Sequence, residues 1–298
     1  MECAGVQYIH YPSRSTEIKL KAISDIHLLN KGCDEQLLRA DTKEIKDNPN
    51  MFWIGTGDYV DCIGHTDAKR FDPDSVSPRV RIADLARLGA VSVEAIRDLF
   101  KPIRHKCLGL LLGNHEKQYQ KFHQQEDLHA WLCTELDVRN LGYCAFLDVS
   151  FGRTSSTRIV RLCPGPPESG GSKAFKIRIF AHHGAGFAQT PGGKLNKLIQ
   201  FMLNFHADLY FVGHVHDELI KVMPTLGANA TCTKLEQRAK IGMICGSYLR
   251  TYQQGVTSYG EQRGYAPVPL GAPTAIIRPD KRIIQAHTNS VTVGAWKW

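Results

Sequence analysis

The sequence lacks the features that mark membrane proteins and disulfide-stabilised proteins. No run approaches the roughly 20 apolar residues of a helical membrane span, and residues 1–17 lack the charged-then-apolar layout of a signal peptide. The nine cysteines form no Cys-X-X-Cys pair and are odd in number. This argues against a disulfide framework or a thiolate zinc site and predicts reduced, mostly buried thiols. We therefore expect a cytoplasmic protein without membrane contact.

The composition is that of a globular protein with a substantial core. The 298 residues are 43% hydrophobic and 22% charged, and this length admits one large domain or two. The formal net charge of +8 is compatible with an anionic substrate such as a phosphate ester or a nucleic acid. The basic residues are scattered rather than clustered, so the charge alone does not choose a function.

Strand and helix patterns alternate along the first part of the chain, and residues 217–298 have the short apolar stretches of a β-rich region. Residues 62–106 form a long insertion that we interpret as a helical cap. Together the patterns predict an α/β fold of two stacked mixed β-sheets flanked by helices, in one domain over 1–298. The predicted helices cover residues 34–47, 79–100, 117–136 and 194–205.

Five short apolar runs each end on a cluster of Asp, Asn and His side chains. Asp, Asn and imidazole are ligands of hard-to-borderline divalent metals, and α/β sheets build their sites from the ends of separate strands. Five such clusters in order predict a metal centre. The runs cover residues 19–27, 51–61, 108–116, 177–184 and 207–216.

The candidate donors comprise three oxygen-bearing side chains and four imidazoles, too many for one tetrahedral ion and suited to two. Asp25 and His27 are two residues apart, so on an extended strand they would share one face, and His214 and His216 repeat this spacing. The Asp58 carboxylate has two oxygens and can bridge two ions. The remaining donors are Asn114 and an imidazole of either His182 or His183.

The ordered motifs DxH, GDxxD, GNHE, HH and GHxH resemble those of the calcineurin-like metallophosphoesterase superfamily. The resemblance implies an αββα sandwich and a phosphoric ester hydrolase, a phosphatase or phosphodiesterase in which a metal-bridging hydroxide attacks the ester in line. It also implies two divalent ions (manganese, iron or zinc), among which the sequence does not choose. The motifs stand here as Asp25-Ile26-His27, Gly57-Asp58-Tyr59-Val60-Asp61, Gly113-Asn114-His115-Glu116, His182-His183 and Gly213-His214-Val215-His216.

The resemblance also implies a role for each matched residue. His182 is the expected ligand of the histidine pair because the first histidine is usually the family's ligand. His115 is expected beside the substrate, as general acid or as stabiliser of the phosphoryl oxygens, and Asp61 would orient it. The implied ligands are Asp25, His27 and His216 for one ion and Asn114, His182 and His214 for the other, with Asp58 bridging.

The chain departs from the serine/threonine phosphatases that these motifs resemble most. Those enzymes follow GDxxD with Arg-Gly, and the arginine helps to bind phosphate, whereas this chain has Cys62 and Ile63. We therefore expect the substrate to be gripped elsewhere, within 62–106 and 246–272.

The substrate contacts suggested by the sequence are His183, Tyr248 and Arg250. Residues 246–252 combine aromatic and basic side chains, which suits nucleotide stacking or phosphate binding and equally suits an aromatic-rich strand edge. His183 is open to three roles: ligand, partner of a ligand or substrate contact.

Two alternatives to a phosphatase or general phosphodiesterase follow from the same motifs. The first is a DNA or RNA phosphodiesterase of the same superfamily, which the basic charge favours slightly. The second is a non-catalytic scaffold that keeps the fold for protein binding. Such scaffolds usually lose ligands, whereas every ligand motif is present here.

Overall fold

The structure is a computed structural model of the chain. It describes residues 1–61, 63, 67, 71–122, 127–167, 175–186, 188–288 and 292–297, with only the backbone at 259 and 292–297.

Within these ranges the chain forms thirteen strands and six α-helices. The strands are β1 Glu2–Tyr11, β2 Ile18–Ile23, β3 Met51–Gly55, β4 Cys107–Leu110, β5 Cys144–Arg153, β6 Arg161–Cys163, β7 Phe175–His182, β8 Leu209–Val212, β9 Glu218–Ala228, β10 Leu235–Cys245, β11 Thr274–Arg278, β12 Ile283–His287 and β13 Thr292–Lys297. The helices are α1 Glu35–Asp47, α2 Leu88–Phe100, α3 Asn114–Phe122, α4 Leu128–Leu136, α5 Pro191–Asn204 and α6 Tyr259–Gln262.

The strands form two mixed sheets. The seven-stranded sheet has the order β6-β1-β5-β7-β8-β10-β9, and the six-stranded sheet has the order β13-β12-β11-β2-β3-β4. In the six-stranded sheet β2, β3 and β4 are mutually parallel, and in the seven-stranded sheet β7 and β8 are parallel neighbours. The carboxyl ends of these five strands supply the predicted metal donors.

Alternation of side chains along the strands produces three apolar layers. In the central core, Phe52 of β3 points toward the seven-stranded sheet and Ile179 of β7 points toward the six-stranded sheet. The next residues face outward, so that Trp53 packs against α2 and Phe180 packs against α5. The resulting αββα sandwich confirms the predicted fold class.

Local signals explain where the helices begin. The Asp34 side chain caps α1 by accepting a hydrogen bond from the backbone N–H of Leu37 at 3.1 Å. Thr190 caps α5 in the same way through Gly193 at 3.2 Å, and Pro191 occupies its first turn.

Four differences from the sequence prediction stand out. The N-terminal strand β1 was not predicted. The helix predicted over 79–100 is a 3₁₀ segment, Ile82–Arg87, followed by α2, and the helix predicted over 117–136 is divided into α3 and α4. Of the eight cysteines described, all unpaired, only Cys107, Cys133 and Cys245 are buried, so the expectation of mostly buried thiols was wrong.

The insertion at 62–106 contributes α2 to the helical layer of the six-stranded sheet, where Ile96 and Phe100 are buried. A cap over the site stays a prediction, because part of this insertion lies outside the described residues. No helix in the described ranges has the combined length and apolarity that crossing a bilayer requires.

Candidate metal centre

The first group of donors joins the end of β2 to the loop after β8. His216 Nε2 lies 3.3 Å from Asp25 Oδ1 and 3.2 Å from His27 Nε2. Asp25 is fully buried and His27 is nearly so. These three side chains lie close enough together to bind one ion.

The second group joins the ends of β3, β4, β7 and β8. His183 Nε2 lies 2.9 Å from Asn114 Oδ1 and 3.4 Å from Asp58 Oδ2. The His214 ring centroid is 5.3 Å from that of His183, and Asp58, His183 and His214 form a second potential ion-binding group. Asp58 also groups with His27 and His115, so its carboxylate lies between the two donor groups.

The two adjacent histidines lie in different surroundings. His183 is completely buried in the donor cluster. The His182 ring instead packs on Phe201 of α5, with centroids 4.6 Å apart, and its Nδ1 accepts a hydrogen bond from Gly184 N at 2.7 Å. Successive side chains along a strand point to opposite faces. Of these two histidines, His183, which directly follows β7, therefore points toward the other sheet, and His182 points away from it.

The sequence did contain a signal for this choice. Lys176 and Arg178 are exposed on β7 while Ile177 and Ile179 are buried, and continuing that alternation places His183 with the inward residues.

Five of the predicted ligands have a left-handed backbone conformation rather than the extended conformation expected for Asp25 and His27. Non-glycine residues with positive φ cost about 1–3 kcal/mol each and cluster at functional sites. The loops after β2, β3 and β8 therefore store strain in order to direct their side chains inward. The five are Asp25 (φ 48°), His27 (50°), Asp58 (52°), His214 (71°) and His216 (45°).

Asp61 contacts both a predicted ligand and the predicted acid. Its Oδ1 accepts a hydrogen bond from His27 Nδ1 at 3.1 Å, and its backbone carbonyl accepts one from His115 Nδ1 at 2.7 Å. The Asp61 carboxylate lies farther from His115, at 3.4 Å. Asp61 thus orients His115 chiefly through its main chain and uses its carboxylate to orient His27.

Glu116 is a structural part of the centre that sequence reasoning missed. Its buried carboxylate accepts hydrogen bonds from the backbone N–H groups of Tyr59 at 2.7 Å, Gly113 at 3.1 Å and Asp58 at 3.2 Å. Burial and the nearby Asp58 charge raise the pKa of Glu116 to about 7. Its position as the last residue of GNHE was the available signal.

Hydrogen bonding shows that the donor set fits a cation. His183 Nδ1 donates to the Thr56 carbonyl at 2.7 Å, which leaves the Nε2 lone pair facing the Asn114 and Asp58 oxygens. Asp25 Oδ2 accepts hydrogen bonds from Ser24 and from His214 N. Its buried Oδ1 has no hydrogen-bond partner among the described residues. Lone pairs that converge in this way are stabilised by a positive ion between them.

The pKa shifts have the same electrostatic origin. Burial lowers the pKa of His183, but the charge and hydrogen bond of Asp58 outweigh it and raise that pKa to about 9. Burial likewise opposes ionisation of Asp58, yet His183 and His115 hold the pKa of Asp58 well below its usual value. Without a metal ion, the Asp58 carboxylate and a proton on His183 therefore stabilise each other, and a bound cation would take the place of that proton.

Two of the three proposed substrate contacts have other roles. Tyr248 is fully buried and its hydroxyl donates to Asp41 at 2.6 Å, so it is not available to a substrate. Its backbone N–H supports the site by donating to the Asp25 carbonyl at 3.0 Å. Arg250 is half exposed and pairs with Asp34. Cys62, at the position of the family arginine, lies outside the described residues.

Comparisons with known proteins assign the chain to a family, and that family fits the sandwich fold and the paired donor groups. A family model described as calcineurin-like phosphoesterase matches residues 18–218. The chain therefore belongs to the calcineurin-like phosphoesterase family, which confirms the resemblance drawn from the motifs. No curated protein matches it significantly.

Solved structures of low sequence identity resemble the chain over most of its length. A conserved uncharacterised protein from Streptococcus pneumoniae, a predicted phosphoesterase, is 11% identical with a TM-score of 0.36, covering 95% of this chain and 99% of that one. GAP50 of Plasmodium, described as the anchor in the inner membrane complex, is 10% identical with a TM-score of 0.45 and coverages of 94% and 88%. The nuclease MPE of Pseudomonas putida is 12% identical with a TM-score of 0.32 and coverages of 94% and 87%.

Proposed function

We propose that this protein hydrolyses phosphate mono- or diesters with the help of two divalent ions. The observation that supports this most directly is the pair of donor groups on either side of Asp58. One would consist of Asp25, His27 and His216, and the other of Asn114, His183 and His214. Bound ions would lower the pKa of a coordinated water and neutralise charge on the phosphoryl oxygens.

His115 is suited to supply the proton to the leaving oxygen. Its Nδ1 donates to the Asp61 carbonyl at 2.7 Å, so Nε2 is the nitrogen directed toward the centre, 4.0 Å from Asp58 Oδ2. Burial lowers the pKa of His115, but the charges of Asp58 and Asp61 outweigh it and raise that pKa. The raised pKa favours a proton on Nε2, which His115 would transfer to the leaving oxygen as the ester bond breaks.

The proposal is tested by assaying metal-free protein and protein reconstituted with manganese, iron or zinc. Substrates are p-nitrophenyl phosphate, its bis-ester, nucleotides, and single- and double-stranded oligonucleotides. We expect hydrolysis only after metal is restored. Cleavage of oligonucleotides with a steep salt dependence would assign the substrate to nucleic acid, whereas hydrolysis of small esters alone would exclude it.

The variant Asp58→Asn identifies the site. We expect it to lose on the order of 100-fold or more in activity, since removing even an outer partner of a ligand costs roughly 10–100-fold. Asp148→Asn is the matched control, because the buried Asp148 pairs with the more exposed Arg178 and Lys176 and belongs to neither donor group. Equal activity of Asp58→Asn and wild type would refute the proposal.

A further inference from the structure

We propose that Asn30 is a positioning residue of the metal centre: it fixes the Asp61 carboxylate, which in turn fixes the tautomer and orientation of His27. The inference rests on the proposed function and extends it to a residue outside the family motifs. Asn30 follows the DxH motif by three residues, and its contacts link the first ion site to the loop after β3.

The side chain of Asn30 is held from both ends. Its Oδ1 accepts a hydrogen bond from Gly32 N at 2.8 Å, which closes a tight turn. Its backbone N–H donates to the His27 carbonyl at 3.0 Å. The remaining group, Nδ2, donates to Asp61 Oδ2 at 2.9 Å. With the turn fixed, the amide can present its N–H to Asp61 in only one direction.

Asp61 passes this constraint to His27. The two carboxylate oxygens have different donors, Nδ2 of Asn30 on Oδ2 and Nδ1 of His27 on Oδ1, the latter at 3.1 Å. A His27 proton committed to Nδ1 leaves the Nε2 lone pair directed at the site, 3.2 Å from His216 Nε2. Such partners of metal-bound histidines set ring orientation and ligand basicity.

An asparagine side chain can both accept the hydrogen bond from Gly32 N and donate one to Asp61. An aspartate could accept from Gly32 but would place a second carboxylate against Asp61. A leucine could do neither. Asn30→Asp therefore preserves the turn while removing the donor, and Asn30→Leu removes both.

The test measures metal affinity by titration calorimetry of the full-length protein with Mn²⁺ and Zn²⁺. We expect Asn30→Asp to weaken one of two sites by about 10–100-fold, to leave the other site within about twofold, and to lower kcat more than it changes KM. Asn140→Asp is the control, because the Asn140 side chain has the same Asn-X-Gly spacing and likewise accepts a hydrogen bond from the glycine N–H, that of Gly142 at 2.9 Å.

A second readout needs no metal. The proton between His27 Nδ1 and Asp61 should give a downfield imidazole ¹H NMR signal in wild type that is lost in Asn30→Asp and kept in Asn140→Asp. Unchanged metal affinity in Asn30→Asp, equal loss in both variants, or a signal that survives Asn30→Asp would overturn the inference. If wild type binds metal but hydrolyses no ester, the proposed function fails while the effect on metal affinity still tests Asn30. A wild type that binds no metal would overturn both.

Discussion

At the scale of single residues, two adjacent histidines at the end of β7 have opposite environments. His183 is buried among anionic and carbonyl oxygens, and His182 packs on an aromatic ring, where burial and the neighbouring His183 lower its pKa to about 4. The difference arises from strand geometry alone, because one peptide unit reverses the direction of the side chain.

These neighbours provide a matched pair of substitutions. His183→Asn should abolish binding of one ion and reduce hydrolysis by on the order of 100-fold or more, because Nε2 is the nitrogen facing Asn114 and Asp58. His182→Asn should change activity by less than about 10-fold, since an outer contact is worth less than a ligand. The metal content and kcat/KM of each variant test these expectations, and circular dichroism confirms that each variant is folded. The opposite ranking would show that His182 is the ligand.

A buried histidine outside the donor groups predicts a pH dependence of stability. His129 of α4 is buried, and burial lowers its pKa to about 4 although Asn140 accepts its hydrogen bond at 3.1 Å. Between about pH 6.5 and 4 the unfolded chain binds a proton that the folded protein does not. The free energy of unfolding should therefore fall as the pH falls through this window, by up to about 3 kcal/mol.

Urea unfolding at several pH values checks this expectation. His129→Gln keeps a donor for Asn140 and should flatten the curve between pH 6.5 and 4, whereas His206→Gln, at an exposed position, should leave the slope as in wild type. A wild-type slope in His129→Gln would show that other groups cause the pH dependence.

At the scale of elements, the β3 and β4 loops approach too closely for any side chain at Gly113. A Cβ there would overlap the backbone nitrogen and carboxylate of Asp58 and lie 2.5 Å from Glu116 Oε2. Gly113→Ala should therefore displace the bridging carboxylate, lower metal affinity and destabilise the protein by about 1–3 kcal/mol.

Gly165→Ala is the comparison for this substitution, because a Cβ at Gly165 would meet no atom within 4 Å. Calorimetric metal titration compares the metal affinity of the two variants, and thermal unfolding compares their stability. Normal metal affinity in Gly113→Ala would mean that the loops can move apart and that their contact does not position Asp58.

Strands with a clear apolar pattern could be predicted from sequence, whereas β1 could not. Among the strands before the five donor clusters, β3, β4 and β8 are continuous apolar runs, as expected for strands covered on both faces, whereas β2 and β7 alternate apolar with basic residues. In β1 the apolar pattern is broken by Gln7, which is buried because it donates to the Leu108 carbonyl at 2.6 Å, and by His10, which contacts the Gly165 carbonyl. Partners 101 and 155 residues away cannot be read from local periodicity.

The candidate site shows the same limit. The ligand types and order followed from the motifs, whereas the left-handed backbone of the loops and the Asn30–Asp61–His27 contacts depend on how separate loops meet. The choice of His183 was within reach of sequence, because the alternation of β7 predicts it.

At the scale of the whole molecule, the donors come from both sheets of the sandwich. β2, β3 and β4 contribute from one sheet, and β7 and β8 contribute from the other. Bound ions would therefore join the two sheets and offset the strain of the loops. Ligands that bind only the folded state stabilise it by about 2.7 kcal/mol at 100 times their Kd.

Metal should accordingly raise the melting temperature by about 5–10 °C over protein treated with chelator. Differential scanning calorimetry at fixed protein concentration measures the shift. Asp58→Asn should reduce it, while Asp148→Asn should retain it. Equal melting temperatures with chelator and with excess metal would show that the folded protein does not bind these ions.

The central claim is that two ions bind between the sheets with Asp58 shared between them. Anomalous X-ray diffraction from crystals soaked in Mn²⁺ or Zn²⁺ tests it most directly. We predict two anomalous peaks about 3.5–4 Å apart, one bounded by Asp25, His27 and His216 and the other by Asn114, His183 and His214. A single peak, no peak, or a peak bounded by His182 would contradict it.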